Sequence, residues 1–243
     1  TFINSCKNRP DRMSYLEHSR YRGFDGVVLA CIDFGDPEVI ELVQSSIPVV
    51  TIDYLFNNRI AIMSDNVAGM KELLEYIYSR GHRKIAYIHG AMSAVTSGRL
   101  SSFYRTAERL GLDIPDEYIR EAAYRDTTTT YRVTNELLDL PNPPTCIIYP
   151  DDFASFGGIN AIRQRGLQIP EDISVAGYDG IQAARQLEPR LTTVQQDTEQ
   201  IGCLAARELI SLIERPKTTI IEQVIVPGKV AEGKSVARIP TDN

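Results

Sequence analysis

The segment spanning residues 169–197, IPEDISVAGYDGIQAARQLEPRLTTVQQD, constrains the fold more than any other part of this sequence. A polar turn at residues 170–172 precedes a short apolar run at 173–176, which is typical of a strand buried on both faces. Asp179 follows just past the carboxyl end of this strand, and a second short strand is predicted over residues 191–194. In open α/β sheets the ligand crevice lies at the carboxyl ends of the strands. The segment therefore predicts a parallel sheet with a binding carboxylate at its edge.

Short apolar runs alternate with helical segments along the rest of the chain. Residues 24–32, FDGVVLACI, and residues 47–52, IPVVTI, are near-continuous apolar runs of the kind found in parallel strands. Between them, Asp36-Pro37 is an N-cap followed by a proline at the first helical position. Further strands are predicted over residues 1–4, 81–90, 145–149 and 220–226. This alternation predicts βαβ units and the α/β fold class.

Composition and charge narrow the class of protein. The chain has 243 residues, of which 43% are hydrophobic and 24% charged, as is ordinary for a soluble globular protein with one large or two small domains. No run approaches about 18 apolar residues, so we expect no membrane contact. The four cysteines are widely scattered, which is typical of reduced thiols in a cytoplasmic protein. The net charge of −6 argues against DNA binding by this part of the protein alone, because phosphate contacts need clustered Lys and Arg.

Enzyme and metal signatures are absent from the sequence. No Gly-rich phosphate loop precedes a helix, there is no G-x-S-x-G, and the three histidines lack metal-ligand spacing. The adjacent Asp151 and Asp152 follow the strand predicted at 145–149, where acidic pairs are more often helix caps than acid–base catalysts. We therefore expect no enzyme activity, no cofactor and no metal.

Several motifs together carry a family resemblance. The ordered pair IPEDISVAGYD and P-x-LTTVQQD resembles the effector-binding core of the LacI/GalR family of bacterial transcription regulators. A second match is the pattern from Asp65 to Gly69 followed by GHRKI at residues 81–85. A third is the element around Arg99, with Ser102 where the family usually has glycine. The resemblance covers nearly all of the chain.

The resemblance implies two Rossmann-like three-layer subdomains with parallel sheets, joined by three crossovers near Gly81, Gln196 and Glu222. The expected N-terminal subdomain comprises residues 1–80 plus 197–222, with a first strand and helix lying outside this sequence. The expected C-terminal subdomain comprises residues 81–196 plus 223–243. The resemblance also implies a homodimer and a helix-turn-helix DNA-binding headpiece that is not in this sequence.

Arg99 and Asp179 are the main candidates for binding a small polar ligand. Arg99 offers a planar fork of donors, and Asp179 offers an acceptor for hydroxyls or amines. Both resemble positions that recur in the effector pocket of the family. The alternatives from the sequence are an ion pair of Arg99 with a neighbouring aspartate and a strand-end cap at Asp179.

Four further residues are candidate effector contacts. Tyr54 lies where a ring can cover one face of a ligand, and Asp151 lies at a strand end where the family usually has Asn-Asp. Arg125 and Thr198 occupy positions that are often aromatic in the family. These departures leave the ligand class open and favour a ligand more polar or more anionic than a neutral hexose.

Two functions are compatible with these features. The first is a ligand-responsive transcriptional regulator, a repressor, that binds a sugar-like effector in an inter-subdomain cleft and contacts operator DNA through the headpiece. The second is an extracytoplasmic sugar-binding protein of a transporter, which has the same fold. The GHRKI segment, the paired motifs around Asp179 and the scattered cysteines favour the regulator.

Overall fold

The structure is a computed structural model that describes residues 13–240, so the strand predicted over residues 1–4 lies outside the described residues. The helices and strands in chain order are α1 (Tyr15–Arg22), β1 (Val27–Leu29), α2 (Pro37–Gln44), β2 (Val49–Ile52), β3 (Ile60–Ser64), α3 (Asn66–Ser79), β4 (Ile85–His89), α4 (Ala94–Arg109), β5 (Ile119–Glu121), α5 (Thr127–Leu138), β6 (Cys146–Ile148), α6 (Asp152–Gln164), β7 (Ser174–Asp179), β8 (Thr192–Gln195), α7 (Thr198–Glu214), β9 (Gln223–Val226) and β10 (Lys229–Ala231). Within the described part of the chain, no helix is long and apolar enough to cross a membrane.

The chain divides into two compact units. The first unit comprises the described residues up to Ser64 together with Thr198–Val226, and the second comprises Asp65–Asp197 together with the described residues from Pro227 on. The chain therefore passes between the units three times. Each unit has its own sheet, which is the α/β architecture with two sheets that the motifs predicted.

The first unit is a sheet of four strands in the order β1-β2-β3-β9, and all its pairings are parallel. Helices α1 and α2 pack on one face, and α7 packs on the other. The α1–α2 face buries Leu29, Leu42 and Val49, while the α7 face buries Ile62 and Ile201. Because both faces are covered, the strands are apolar in sequence without alternation.

The second unit is a sheet of six strands in the order β10-β8-β7-β6-β4-β5. Its pairings are parallel except that β10 runs antiparallel to β8. Helices α3 and α4 pack on one face around Phe103 and Tyr178, and α5 and α6 pack on the other around Tyr149 and Ile162. The carboxyl ends of β4, β6, β7 and β8 therefore meet along one edge of this sheet.

The boundaries between the units differ from those expected in two places. Helix α3 belongs to the second unit, because Met70 and Leu74 are buried in the same cluster as Ile85 of β4. The expected strand over residues 220–226 begins at Gln223 and pairs with β3, so it belongs to the first unit and not to the second. The crossover expected near Gln196 lies between Asp197 and Thr198.

Candidate functional site

Arg99 is a nearly fully buried cation at the carboxyl edge of the second sheet. Helix α4 begins at Ala94 after the N-cap Ser93, so Arg99 lies in the second turn of the helix. The residue is only 3% exposed. Its Nε donates to Asn66 Oδ1 over 2.7 Å and its Nη1 donates to the Pro150 carbonyl over 2.9 Å.

The guanidinium of Arg99 also stacks on an aromatic ring. Its central carbon lies 3.5 Å from the centroid of the Tyr178 ring, and Tyr178 is itself buried. A cation over a desolvated ring is attracted by the ring quadrupole. These contacts fix the orientation of the guanidinium and make Arg99 part of the packing of this unit.

Asp179 ends β7 and lies beside Arg99. The Arg99 Nη2 is 3.9 Å from Asp179 Oδ1, and this oxygen accepts a hydrogen bond of 2.6 Å from Gln196 Nε2. The side chain keeps 33% of its surface exposed. Burial raises the pKa of Asp179 to about 6, while the charge of Arg99 acts in the opposite direction. The structure places Arg99 and Asp179 side by side, at the outer limit of an ion pair.

Asp151 is engaged by the protein itself. It is 2% exposed, and its Oδ1 accepts from the Ala154 N–H as the N-cap of α6 over 2.7 Å. Its Oδ2 accepts from the Arg125 backbone N–H over 2.8 Å. Both carboxylate oxygens of Asp151 therefore hold backbone in place, which is the helix-cap role that acidic pairs often have at this position.

Arg125 is held by this contact in an unusual conformation. Its φ is 62°, in the left-handed region that residues with a Cβ rarely adopt. The side chain is exposed, and its charge is one of those that oppose the effect of burial on the pKa of Asp179. The structure thus brings Arg99, Asp179, Asp151 and Arg125 to one edge of the second sheet.

Asp152, beside Asp151, is a buried carboxyl that sequence reasoning did not place near the site. Its Oδ1 accepts from the Thr193 hydroxyl over 2.6 Å, and its Oδ2 accepts from the Ile181 N–H over 2.8 Å. A Cβ at Gly177 would lie 2.2 Å from Asp152 Oδ1, so the glycine makes room for the carboxyl. Burial raises the pKa of Asp152 to about 7. The residue ties the loop after Asp179 to the end of β6.

Tyr54 and Thr198 lie in the first unit. Tyr54 follows β2 and stacks on Phe34, with ring centroids 4.6 Å apart and planes 11° apart, and it also contacts Phe56 at 4.7 Å. The predicted aromatic surface at the end of β2 is therefore a cluster of three rings. Thr198 is exposed at the first position of α7.

Three neighbours of Arg99 were missed as site residues by sequence reasoning: Asn66, Tyr178 and Tyr124. Tyr124 places its ring 5.9 Å from the Arg99 guanidinium and bonds its hydroxyl to Thr96. No periodicity marks such contacts, because they arise from strands and helices that are distant in sequence. Within residues 13–240, no group of three or more His, Cys, Asp and Glu is placed to hold a metal ion.

Comparisons with known proteins agree with this fold. Residues 74–236 match the family described as a periplasmic binding protein-like domain. The chain is 32% identical to the probable HTH-type transcriptional repressor ExuR of Bacillus subtilis over 90% of this chain and 66% of that protein. It is 30% identical to the HTH-type transcriptional repressor PurR of Serratia proteamaculans over 98% of this chain and 70% of that protein. The crystal structure of a putative transcriptional regulator LacI from Bacillus cereus subsp. cytotoxis matches with a TM-score of 0.84 at 25% identity, covering 92% of this chain and 80% of that one.

The fold and these matches define a periplasmic-binding-protein-like domain. The chain belongs to the LacI/GalR family of transcriptional regulators and corresponds to the effector-binding core of that family. It spans about two thirds of the length of the two repressors. Both relatives are named as HTH-type transcriptional repressors.

Proposed function

We propose that this chain is the ligand-sensing part of a transcriptional repressor and that its second unit binds a small polar effector at Arg99 and Asp179. The observation that carries the proposal is the hydrogen bonding of Arg99 together with the exposure of the Asp179 carboxylate. Arg99 uses Nε and Nη1 within the protein, while its Nη2 makes no hydrogen bond to any residue in 13–240. That atom is directed toward Asp179, whose carboxylate remains one third exposed.

This arrangement suits a hydroxylated ligand. Asp179 accepts from ligand hydroxyls or amines, and Arg99 Nη2 donates to a ligand oxygen. Because Asn66, Pro150 and Tyr178 already hold the guanidinium, little side-chain entropy remains to be lost when the ligand binds. Tyr54 and Thr198 of the first unit stay ligand contacts proposed from the sequence alone.

The regulatory part of the proposal follows the relatives. The full-length protein carries a helix-turn-helix segment before this chain, acts in the cytoplasm as a homodimer, and reads a two-fold symmetric operator. A transporter-associated binding protein is not favoured, because the relatives are named as repressors. Reading the coding DNA upstream of Thr1 tests this part, and a secretion signal in place of a basic helix-turn-helix would contradict it.

A thermal-shift screen followed by calorimetry tests the binding site. A ligand at about 100 times its dissociation constant stabilises the native state by about 2.7 kcal/mol. At about 2–4 °C per kcal/mol for a chain of this size, the expected shift is about 5–10 °C. The panel contains neutral sugars, sugar acids, sugar phosphates and nucleobases.

Asp179→Asn is the decisive variant, because the amide keeps the shape and an acceptor for Gln196 while removing the charge. We expect it to weaken the best ligand by at least about 10-fold, as loss of a charge-assisted hydrogen bond does. The matched control is Asp113→Asn, which changes an exposed aspartate of the same unit and which we expect to leave the affinity for the ligand unchanged. Full affinity in both Asp179→Asn and Arg99→Lys would refute the proposed site.

A further inference from the structure

Arg125 is a charged side chain at the binding edge that the protein itself does not use. Its backbone N–H donates to Asp151, but among residues 13–240 its guanidinium forms no hydrogen bond and no ion pair. The other arginine at this edge, Arg99, is 3% exposed and is bound by Asn66 and Pro150. Arg125 is therefore the cation that is free to meet a group arriving from solvent.

The backbone around Arg125 is anchored on both sides. Before it, the Tyr124 hydroxyl bonds to Thr96 over 2.8 Å, and the Tyr124 ring covers Gly90 so closely that a Cβ there would lie 2.2 Å from it. After it, Asp126 caps α5 by accepting from two backbone N–H groups of the first turn. With φ at 62° and the Asp151 contact between these anchors, the direction of the chain at Arg125 is fixed. A strained residue kept in place by its surroundings points to a functional role.

The charge of Arg125 also reaches the proposed ligand acceptor. Burial raises the pKa of Asp179, and the charges of Arg99 and Arg125 both act against that rise. A ligand bound through hydroxyls at Asp179 is thus within the electrostatic range of Arg125.

The charges at this edge suit a ligand with one negative charge better than a ligand with two. Two arginines, Arg99 and Arg125, face three carboxyl groups, those of Asp151, Asp152 and Asp179. A doubly charged phosphate would add two charges to a cluster that already holds more acidic than basic groups. One carboxylate matches the planar fork of one free guanidinium.

We infer that Arg125 selects an effector bearing one carboxylate on a polyhydroxylated body, such as a sugar acid, with the carboxylate on the Arg125 guanidinium and hydroxyls at Asp179. This inference rests on the proposed function, because it names the chemistry of the ligand at the same edge. It assigns Arg125 the role of a specificity residue and Asp151 the role of positioning it.

Matched ligand pairs test the inference. Binding of D-glucose, D-glucuronate and D-glucose 6-phosphate, and of the corresponding galactose series, is measured by calorimetry on the wild type, Arg125→Gln, Arg125→Lys and Arg105→Gln. Arg105→Gln removes another exposed arginine of the same unit and serves as the control. In one series we expect the wild type to bind the acid at least about 10-fold more tightly than the neutral sugar and the phosphate, the range of a charge-assisted pair.

The variants separate specificity from general binding. We expect Arg125→Gln to remove the preference for the acid over the neutral sugar, Arg125→Lys to keep part of that preference, and the control Arg105→Gln to keep all of it. The inference is overturned if the neutral sugar or the phosphate binds as tightly as the acid or more tightly. It is also overturned if Arg125→Gln keeps the preference for the acid, or if neither acid binds. If a neutral sugar binds and Asp179→Asn abolishes that binding, the proposed function stands while the inference fails.

Discussion

Replacing Asp152 with asparagine probes the electrostatic cost of the buried carboxyl that supports the binding edge. Asp152 is fully buried and accepts hydrogen bonds from Thr193 and Ile181. In Asp152→Asn the amide oxygen can keep the bond from the Ile181 N–H, while the amide N–H donates to the Thr193 hydroxyl, which also accepts. The substitution therefore removes the titrating group with little change of shape.

The expected effect follows from the raised pKa of Asp152. Burial moves the pKa from 3.8 to about 7, so between these values the folded protein holds a proton that the unfolded chain has released. Stability is therefore highest below the unfolded pKa and is lost as the pH rises through the folded pKa. From pH 5 to pH 7 the loss is about 1.36 kcal/mol per pH unit. The wild type should thus lose about 2.7 kcal/mol from this group between pH 5 and pH 8, and Asp152→Asn should not lose it.

Urea unfolding at pH 5, 6, 7 and 8 measures the difference. The chain has no tryptophan, so far-ultraviolet circular dichroism and tyrosine fluorescence report the transition. The control is Glu171→Gln, which removes an exposed carboxylate of the same unit. The stability of Asp152→Asn relative to the wild type should rise with pH by about 2–3 kcal/mol, whereas Glu171→Gln should track the wild type. If the stability difference between Asp152→Asn and the wild type changes by less than about 1 kcal/mol from pH 5 to pH 8, the buried carboxyl does not titrate as argued.

Two further pairs of substitutions test the packing around helix glycines and the capping of helices. Gly158→Ala places a Cβ 1.9 Å from the Tyr149 hydroxyl oxygen, and we expect a loss of about 1–3 kcal/mol or more in unfolding free energy by urea titration. Gly202→Ala is its control in helix α7, where nothing lies within 4 Å of the added carbon, and it should raise the unfolding free energy by about 0.5–1 kcal/mol. If Gly158→Ala and Gly202→Ala change the unfolding free energy equally, the packing argument is wrong. Asp151→Ala leaves two backbone N–H groups without their acceptor at a buried position, so its loss in unfolding free energy should exceed that of Asp126→Ala at a more exposed cap, with calorimetric melting as the measurement.

Local pattern was enough to place most of the strands. The runs at residues 24–32, 81–90 and 145–149 contain β1, β4 and β6, although each observed strand is shorter than its run. Strand ends depend on where the neighbouring strand stops pairing, and that neighbour is distant in sequence. Strand β10 is not among the predicted strands, and it pairs antiparallel with β8, which is distant in sequence.

The assignment of elements to units needed the folded chain. The apolar face of α3 was evident from its periodicity, but periodicity does not say which sheet that face covers. The packing of Met70 and Leu74 against the second sheet decides it. In the same way, β9 is an apolar run whose partner β3 is known only from the pairing.

At the binding edge, some features follow from the sequence and others only from the folded structure. The types and positions of Arg99 and Asp179 follow from the sequence, since a fork of donors and a strand-end carboxylate are visible in the motifs themselves. Only the tertiary structure shows that Asn66, Pro150 and Tyr178 hold the Arg99 guanidinium in place. It also shows that both carboxylate oxygens of Asp151 accept hydrogen bonds from backbone N–H groups. The reason is physical: side-chain identity and periodicity are local properties, whereas burial, hydrogen-bond partners and the pKa of a carboxyl depend on which distant strands and helices surround it.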